Sequence, residues 1–548
     1  MARSLQVVAP SGVGHRLVAE FETVPGVSYS IEESDGQLWH HERRVGPDGE
    51  QLYDQRVAID IAIGSGTRGN SYLFNSAGRL YQSPITWYAK GDRWGLSPGY
   101  PQEGHHRFER QVTHACLACH AGQVQLHATD HNCFAESPIV EASISCERCH
   151  GPGRDHVEFR RGLDQSSAPS DPILNPASLD SARKDAICNQ CHLAGKRRVL
   201  RYGRGEFDFR PGMHLSDVWI TFVKTAGIQS GTASAVSQVE QMYESRCYQE
   251  SAGRMTCVTC HDHHGVPPQD QIAGFYRQRC RQCHTDSQHP CSEAPAIREQ
   301  KQFADSCIAC HMPRFEAADV HAAQTDHRIR RRPSPPPAES SGKRFSRRGP
   351  VTLFEEPGAD IPETAINRGK GIHLAERAYF DNLRDDAWEA IRLLQPILDA
   401  TPDDVEGHLS VARAYHTLGR IDDAISSWEH VLKLEPGHEL ALELLAIAYH
   451  ESGNTKQARS HYEQLVRLNP SRSKYFEHLA QVLGQLGDYE ASIAAAEEAL
   501  ELDPSRAQIH VWLANVYNHL GQSGNARKHK DQLRGFGLDP DRLVAPDR

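Results

Sequence analysis

The sequence predicts a multidomain chain. A small β-rich N-terminal segment leads, a cysteine- and histidine-rich domain with little regular secondary structure follows, and an all-α solenoid ends it. Three observations carry this reading. Strand-type residues broken by turn signals fill residues 28–87. Twelve of the fifteen cysteines fall into six copies of Cys-x-x-Cys-His between Cys116 and His311. Pro402, Pro436, Pro470 and Pro504 recur at one constant spacing. The length of 548 residues suits about three or more domains.

Composition narrows the function classes. Hydrophobic residues are 39% and charged residues 24%, ordinary globular values. No run approaches the ~18 apolar residues of a membrane helix, so no membrane span is expected. The net charge of −11 gives no basis for nucleic-acid binding. The 32 histidines are the second abnormal count beside the cysteines.

Residues 1–104 are expected to form the β-rich segment. Ser28–Val45 and Gln51–Ile63 carry Tyr29, Ile31, Tyr53, Val57 and Ile59. Turn signals at Ser34-Asp35-Gly36 and Gly46-Pro47-Asp48-Gly49 separate the strands. A further hairpin is predicted from Ser71–Phe74 to Leu80–Trp87 across Asn75-Ser76-Ala77-Gly78. The expectation is one small antiparallel sheet packed on the cysteine-rich domain.

Residues 105–329 hold the motifs. They are Cys116, Cys119 and His120; Cys146, Cys149 and His150; Cys188, Cys191 and His192; Cys257, Cys260 and His261; Cys280, Cys283 and His284; and Cys307, Cys310 and His311. Chance at these residue frequencies gives ~0.02 copies of the pattern. Two thiols three positions apart can each form a thioether to a haem vinyl group. The next histidine is then held beneath the iron as its proximal ligand. Zinc also uses Cys-x-x-Cys pairs but does not need that adjacent histidine. Six covalently attached haem c groups are therefore expected, with His120, His150, His192, His261, His284 and His311 as proximal iron ligands. A haem supplies apolar core without side chains, which lets such a domain fold with little helix or strand. The uneven spacing of the first cysteines, from Cys116 to Cys307, excludes a regular one-haem repeat.

The iron's second ligand decides what each haem does. Only five methionines exist, and Met312 follows a proximal histidine too closely to reach the same iron. Bis-histidine ligation, suited to electron transfer, is the expected default. An open position would instead admit a substrate.

Several strings resemble a known group. Ser145-Cys146-Glu147-Arg148-Cys149-His150-Gly151-Pro152-Gly153 with His156 and Cys307-Ile308-Ala309-Cys310-His311-Met312-Pro313-Arg314 are two of them. Ser245-Arg246-Cys247-Tyr248 and Thr325-Asp326-His327-Arg328-Ile329 are two more. They resemble the multihaem cytochromes of the cytochrome c-prime-like group, here fused to C-terminal repeats. The resemblance implies His156 as a distal ligand. It implies His264 as another, with His263 as the alternative, and His321 and His327 at the end of the domain. His106, in Gly104-His105-His106-Arg107-Phe108, fits a fifth. Five candidates for six irons leave one haem liganded from elsewhere or open to a small nitrogen or oxygen compound. The resemblance also implies a Cys247–Cys291 bridge, the alternative being that Cys133, Cys247 and Cys291 are buried thiols.

Haem attachment takes place outside the cytoplasm, so a periplasmic or otherwise extracytoplasmic location is expected. Met1–Leu5 lacks the apolar run of a signal peptide. The resemblance implies a leader and one further motif upstream of a chain that begins past them.

Residues 330–365 open with Arg330-Arg331-Arg332-Pro333-Ser334-Pro335-Pro336-Pro337 and read as a Pro/Ser/Arg-rich linker. Residues 366–548 form the array. Gly419, Gly453, Gly487 and Gly521 share the period of the prolines, as do Ala378, Ala412, Ala446, Ala480 and Ala514. A period of ~34 residues is the tetratricopeptide (TPR) pattern, here five helical hairpins over about residues 371–540. Tyr415, Trp428, Tyr449, Tyr462 and Tyr517 are read as core. Asp385 stands where the first repeat lacks its glycine. Such arrays present binding surfaces for proteins. The expectation is therefore an electron carrier between redox partner proteins, with the repeats docking a partner on a separable arm. The alternative is a multihaem oxidoreductase acting at an open haem, with catalytic residues unknown.

Overall fold

A computed structural model describes residues 4–7, 19–101, 104–127, 132–162, 170–224, 238–285, 291–300, 305–314, 325–331 and 350–542. The chain divides into two compact units, Met1–Ile144 with Leu374–Arg548, and Ser145–His373. No helix among the described residues is long and apolar enough to cross a membrane.

Among the described residues, two antiparallel sheets form over the N-terminal segment where one was expected, and Gln123–Leu126 pairs with Phe134–Glu141 in a further two-stranded sheet of the first unit. Strands Ala19–Val24, Val27–Ser34, Gln37–Val45 and Gln51–Ile59 form a four-stranded meander. A second sheet pairs Leu5–Val7, Ile61–Ile63, Gly69–Ser76, Arg79–Tyr88 and Arg110–Gln111 in that order, with Arg93–Leu96 added to Arg79–Tyr88. Alternate residues face inward, so Tyr29, Ile31, Leu38 and Ile59 of the first sheet meet Tyr72, Phe74, Tyr81 and Ile85 of the second. Ala77 and Gly78 supply the left-handed backbone of the predicted turn, with φ of 51° and 78°.

Five helical hairpins follow, all in this unit except the start of the first helix up to His373. Their helices are Glu363–Asp381 and Arg384–Ala400, Val405–Thr417 and Ile421–Leu434, Glu439–Glu451 and Thr455–Leu468, Ser473–Gln485 and Tyr489–Leu502, and Ala507–His519 and Ser523–Gly535. Gly419, Gly453, Gly487 and Gly521 turn each later hairpin at φ of 72–79°. In the first hairpin Asn382 takes that role at φ 52°, and Asp385 already lies in the second helix. Trp428 and Tyr462 are fully buried, Tyr517 nearly so, and Tyr415 and Tyr449 pack at the edge of the core.

The β-sheets pack on this array, a contact the sequence expectation did not include. Arg79 donates to Glu439 at 3.1 Å and the Tyr81 hydroxyl to Asn469 at 2.8 Å. Glu109 accepts from the Ser473 N–H and pairs with Arg506. Arg107 lies between Glu42 of the meander, at 2.5 Å, and Asp503 of the array. These contacts lie along the loops that join successive hairpins. The array is therefore no free arm.

The second unit holds a small sheet of Arg197–Leu200, Trp219–Lys224 and Val351–Leu353. The last strand falls within the stretch read as linker. Phe354 and Glu356 behind it are buried, and Glu356 accepts from Leu215 N–H, Ser216 N–H and the Ser216 hydroxyl at 3.0–3.1 Å. The Pro-rich part of that stretch lies outside the described residues. Among the described residues, an apolar cluster of the unit centres on Ala186, Ile187, Leu193, Leu215, Val218 and Trp219.

Candidate functional site: the Cys-x-x-Cys-His motifs

Each motif sits on or at the end of a helical turn. The helices are His114–His120, Glu147–His150, Ser181–His192, Cys257–Cys260, Ile272–Arg281 and Cys307–His311. Residues three apart share one helical face, so the turn presents both thiols side by side. No disulfide joins any two of the fifteen cysteines. The Cys247–Cys291 bridge does not form: Cys247 lies beside Cys260 and Cys283, and Cys291 lies beside Cys310. Cys133 is buried beneath the Ala77-Gly78 turn.

The first motif belongs to the first unit, the other five to the second. The Ser4 hydroxyl donates to the His120 carbonyl at 2.6 Å, and Leu117 and Ala118 are buried against the sheets. Among the described residues from Arg246 to Arg314, the segment of the last three motifs, only Thr256 is buried. A segment with almost no apolar side chain out of water cannot hold its shape by side-chain burial alone.

The histidines are held in a recurring way. His150 Nδ1 meets the Leu174 carbonyl at 2.9 Å, His311 Nδ1 meets that of Arg330 at 2.8 Å, and His327 Nδ1 meets that of Thr325 at 2.9 Å. In each, Nδ1 donates to a carbonyl and Nε2 is left with a lone pair, the arrangement that orients a metal-ligating imidazole. His156 is held similarly, by Asp171 at 2.6 Å. The hydrogen bonds from His156 and Arg160 keep the Asp171 carboxyl below the usual carboxylate range.

Two pairs of rings face each other. His150 and His264 lie 6.1 Å apart between centres, with planes 7° apart. His261 and His327 lie 6.3 Å apart, at 25°. Two metal–imidazole bonds of about 2 Å each, plus about 1.1 Å from each nitrogen to its ring centre, give about 6.3 Å. The spacing fits one iron between each pair. His192 neighbours His261 and His327, and loss of solvent around all three rings keeps them below the ordinary imidazole range. The donor set therefore fits haem: paired thiols, a following histidine and a second histidine opposite. Asn189, one residue beyond Cys188 and 1% exposed, has neither amide atom hydrogen-bonded, as beside a polar group such as a propionate.

The other candidates fare unevenly. His106 is exposed, next to His105, which Arg107 N–H and Tyr29 hold at 2.9 and 3.0 Å. His263 lies beside His264, 4.2 Å between ring centres at 53°, and is not the ring paired with His150. His321 lies outside the described residues. Sequence reasoning missed Asp171, Asp185 and Gln241. Asp185 lies one helical turn before Cys188 and accepts from the Cys257 N–H at 2.9 Å. Gln241, fully buried, accepts from the His327 N–H at 2.9 Å. Only Asp185 carried a signal, its spacing from a motif cysteine.

Tetratricopeptide-repeat profiles match residues 385–429 and 478–535, and a second such profile matches 419–482. The C-terminal region is thus an array of TPR repeats, an architecture of protein–protein interaction. Multiheme cytochrome MtrA of Shewanella baltica (strain OS185) is 22% identical over 189 residues, 32% of this chain and 54% of that protein. The chain thus spans about half the length of the curated relative it matches. Among solved structures, a crystal structure of MamA is 22% identical and covers 30% of this chain and 94% of its own at a TM-score of 0.28. MamA AMB-1 is 24% identical and covers 34% and 96% at 0.30.

Proposed function

We propose that the chain is a multihaem c-type cytochrome that carries electrons between redox partner proteins outside the cytoplasm, with its TPR region docking a partner. The observation that carries this is the pairing of motif histidines with second histidines at the spacing of two axial ligands. Haem c, when bound, supplies one-electron redox chemistry. The chain's own residues do the rest. Twelve cysteines fix the groups covalently, and six following histidines bind from one side. His264 would be the second ligand beside His150, and His327 beside His261. His156 and His106 serve the same role elsewhere, and His321 is the remaining candidate. Carbonyls at Leu174, Arg330 and Thr325 fix the ring tautomers, so Nε2 faces the iron. Filling both axial positions excludes substrate and small ligands, which suits a carrier.

The test is production in a host with cytochrome c maturation. Intact mass should equal the apoprotein plus six haem masses, one per motif. The reduced protein should not bind carbon monoxide. Stoichiometric binding at one haem would replace the carrier with an oxidoreductase acting on a small molecule there.

A further inference from the structure

Three motifs of the second unit converge on the fourth. The Cys257 thiol shares a hydrogen bond with Cys188 of the third motif. Cys260 lies beside Cys283 of the fifth. His264, three residues beyond His261, faces His150 of the second. The stretch from Cys257 to His264 thus reaches an attachment or proximal residue of three other motifs.

One buried residue fixes the closest of these contacts. Asp185 is 2% exposed on the helix Ser181–His192, three positions before Cys188. Its carboxylate accepts from the Cys257 N–H, at the first residue of the helix Cys257–Cys260. A carboxylate on a helix's first N–H is a strong, directional contact, because that group has no partner within its own helix. The thiol contact between Cys188 and Cys257 ends when both sulfurs become thioethers. The backbone contact to Asp185 does not. The third motif is tied in turn to the second, where the Gln190 side chain donates to the Arg148 carbonyl at 3.3 Å.

We infer that the fourth motif is the junction of the set, and that Asp185 is the positioning residue that seats it against the third. This rests on the reading of the motifs as haem sites. Groups attached at Cys188 and Cys257 would then be neighbours, close enough for their ferric spins to couple. Electrons would pass between the fifth motif and the second or third through the fourth.

The test uses the full holoprotein, oxidised, in electron paramagnetic resonance, with intact mass on the same sample. The wild type should show spin-coupled signals beside isolated low-spin ones. Asp185→Asn keeps an acceptor for the Cys257 N–H and should keep the coupled signals. Asp185→Leu, carrying all its haems by mass, should lose that coupling and gain the isolated signals of two haems. Unchanged coupling in fully loaded Asp185→Leu would overturn the positioning role. If that variant fails to fold, the wild type still decides: six haem masses with only isolated signals would overturn the junction. Fewer haem masses in the wild type would overturn the underlying assignment, and mass alone reports that.

Discussion

His264 and His327 come from loops that follow the fourth and sixth motifs, and each lies beside the histidine of another motif. Replacing either with Ala should convert one haem from low to high spin and leave the haem count by mass unchanged. A loss of two low-spin signals from one substitution would refute the one-ring, one-iron assignment. Paramagnetic resonance and the charge-transfer absorption band read this directly.

A different histidine pair sets a pH limit. His510 and His529 are both buried in the last repeat, their Nδ1 atoms 3.0 Å apart, so one ring donates and the other accepts. Burial and the neighbouring ring push His529 down to about 4, and burial also lowers His510. Below pH ~6.5 the unfolded chain takes up protons that the folded pair refuses. Stability therefore falls as the pH drops from about 6.5 towards 4, by up to about 3 kcal/mol for His529, and levels off below. Thermal melts across that range should show the slope, and His529→Gln should flatten it.

At the scale of the element, the hairpin turns separate two costs of a side chain at glycine. Gly453 has φ 77° and open space around it. Ala there should cost about 1 kcal/mol from backbone conformation alone. Gly484 is helical, but a Cβ would run into the Trp512 ring. Ala there should cost about 1–3 kcal/mol through overpacking, although Ala is the better helix former. Urea denaturation of the two variants would show whether conformation or contact costs more.

The whole first unit depends on ion pairs between its sheets and its repeats. Arg107 is 8% exposed and joins Glu42, Asp503 and Gln55. Arg107→Met would leave two buried carboxylates without their cation and should cost about 3–5 kcal/mol. A fragment of residues 367–548 should still be helical, because each repeat packs mainly on its neighbours. It should melt lower than in the full chain, and adding a fragment of residues 1–144 should raise its melting temperature. No rise would mean that the sheets and the repeats stabilise each other only through the continuous chain.

The repeats are legible in the sequence because their physics is local. The repeat period records helix, turn and helix directly, and Gly453 or Pro470 carries the same meaning wherever the array sits. The motif cysteines are legible for the same reason, since Cys257, Cys260 and His261 lie within one turn of chain. The β-strands are legible as strands, but their division into two sheets is not. Strand alternation specifies a face and leaves open what covers it. The array covers part of the second sheet because Arg79 and Arg107 find Glu439 and Asp503, both remote from them in sequence. Likewise Val351–Leu353 reads as the end of a linker until Trp219–Lys224 offers it an edge to pair with. The histidines are the clearest case. The sequence by itself determined that a surplus of imidazoles existed and where the motifs stand. Only the tertiary structure set His264 beside His150 and His327 beside His261, because which two rings meet depends on distance and angle in space, and neither is written in the spacing of residues along the chain.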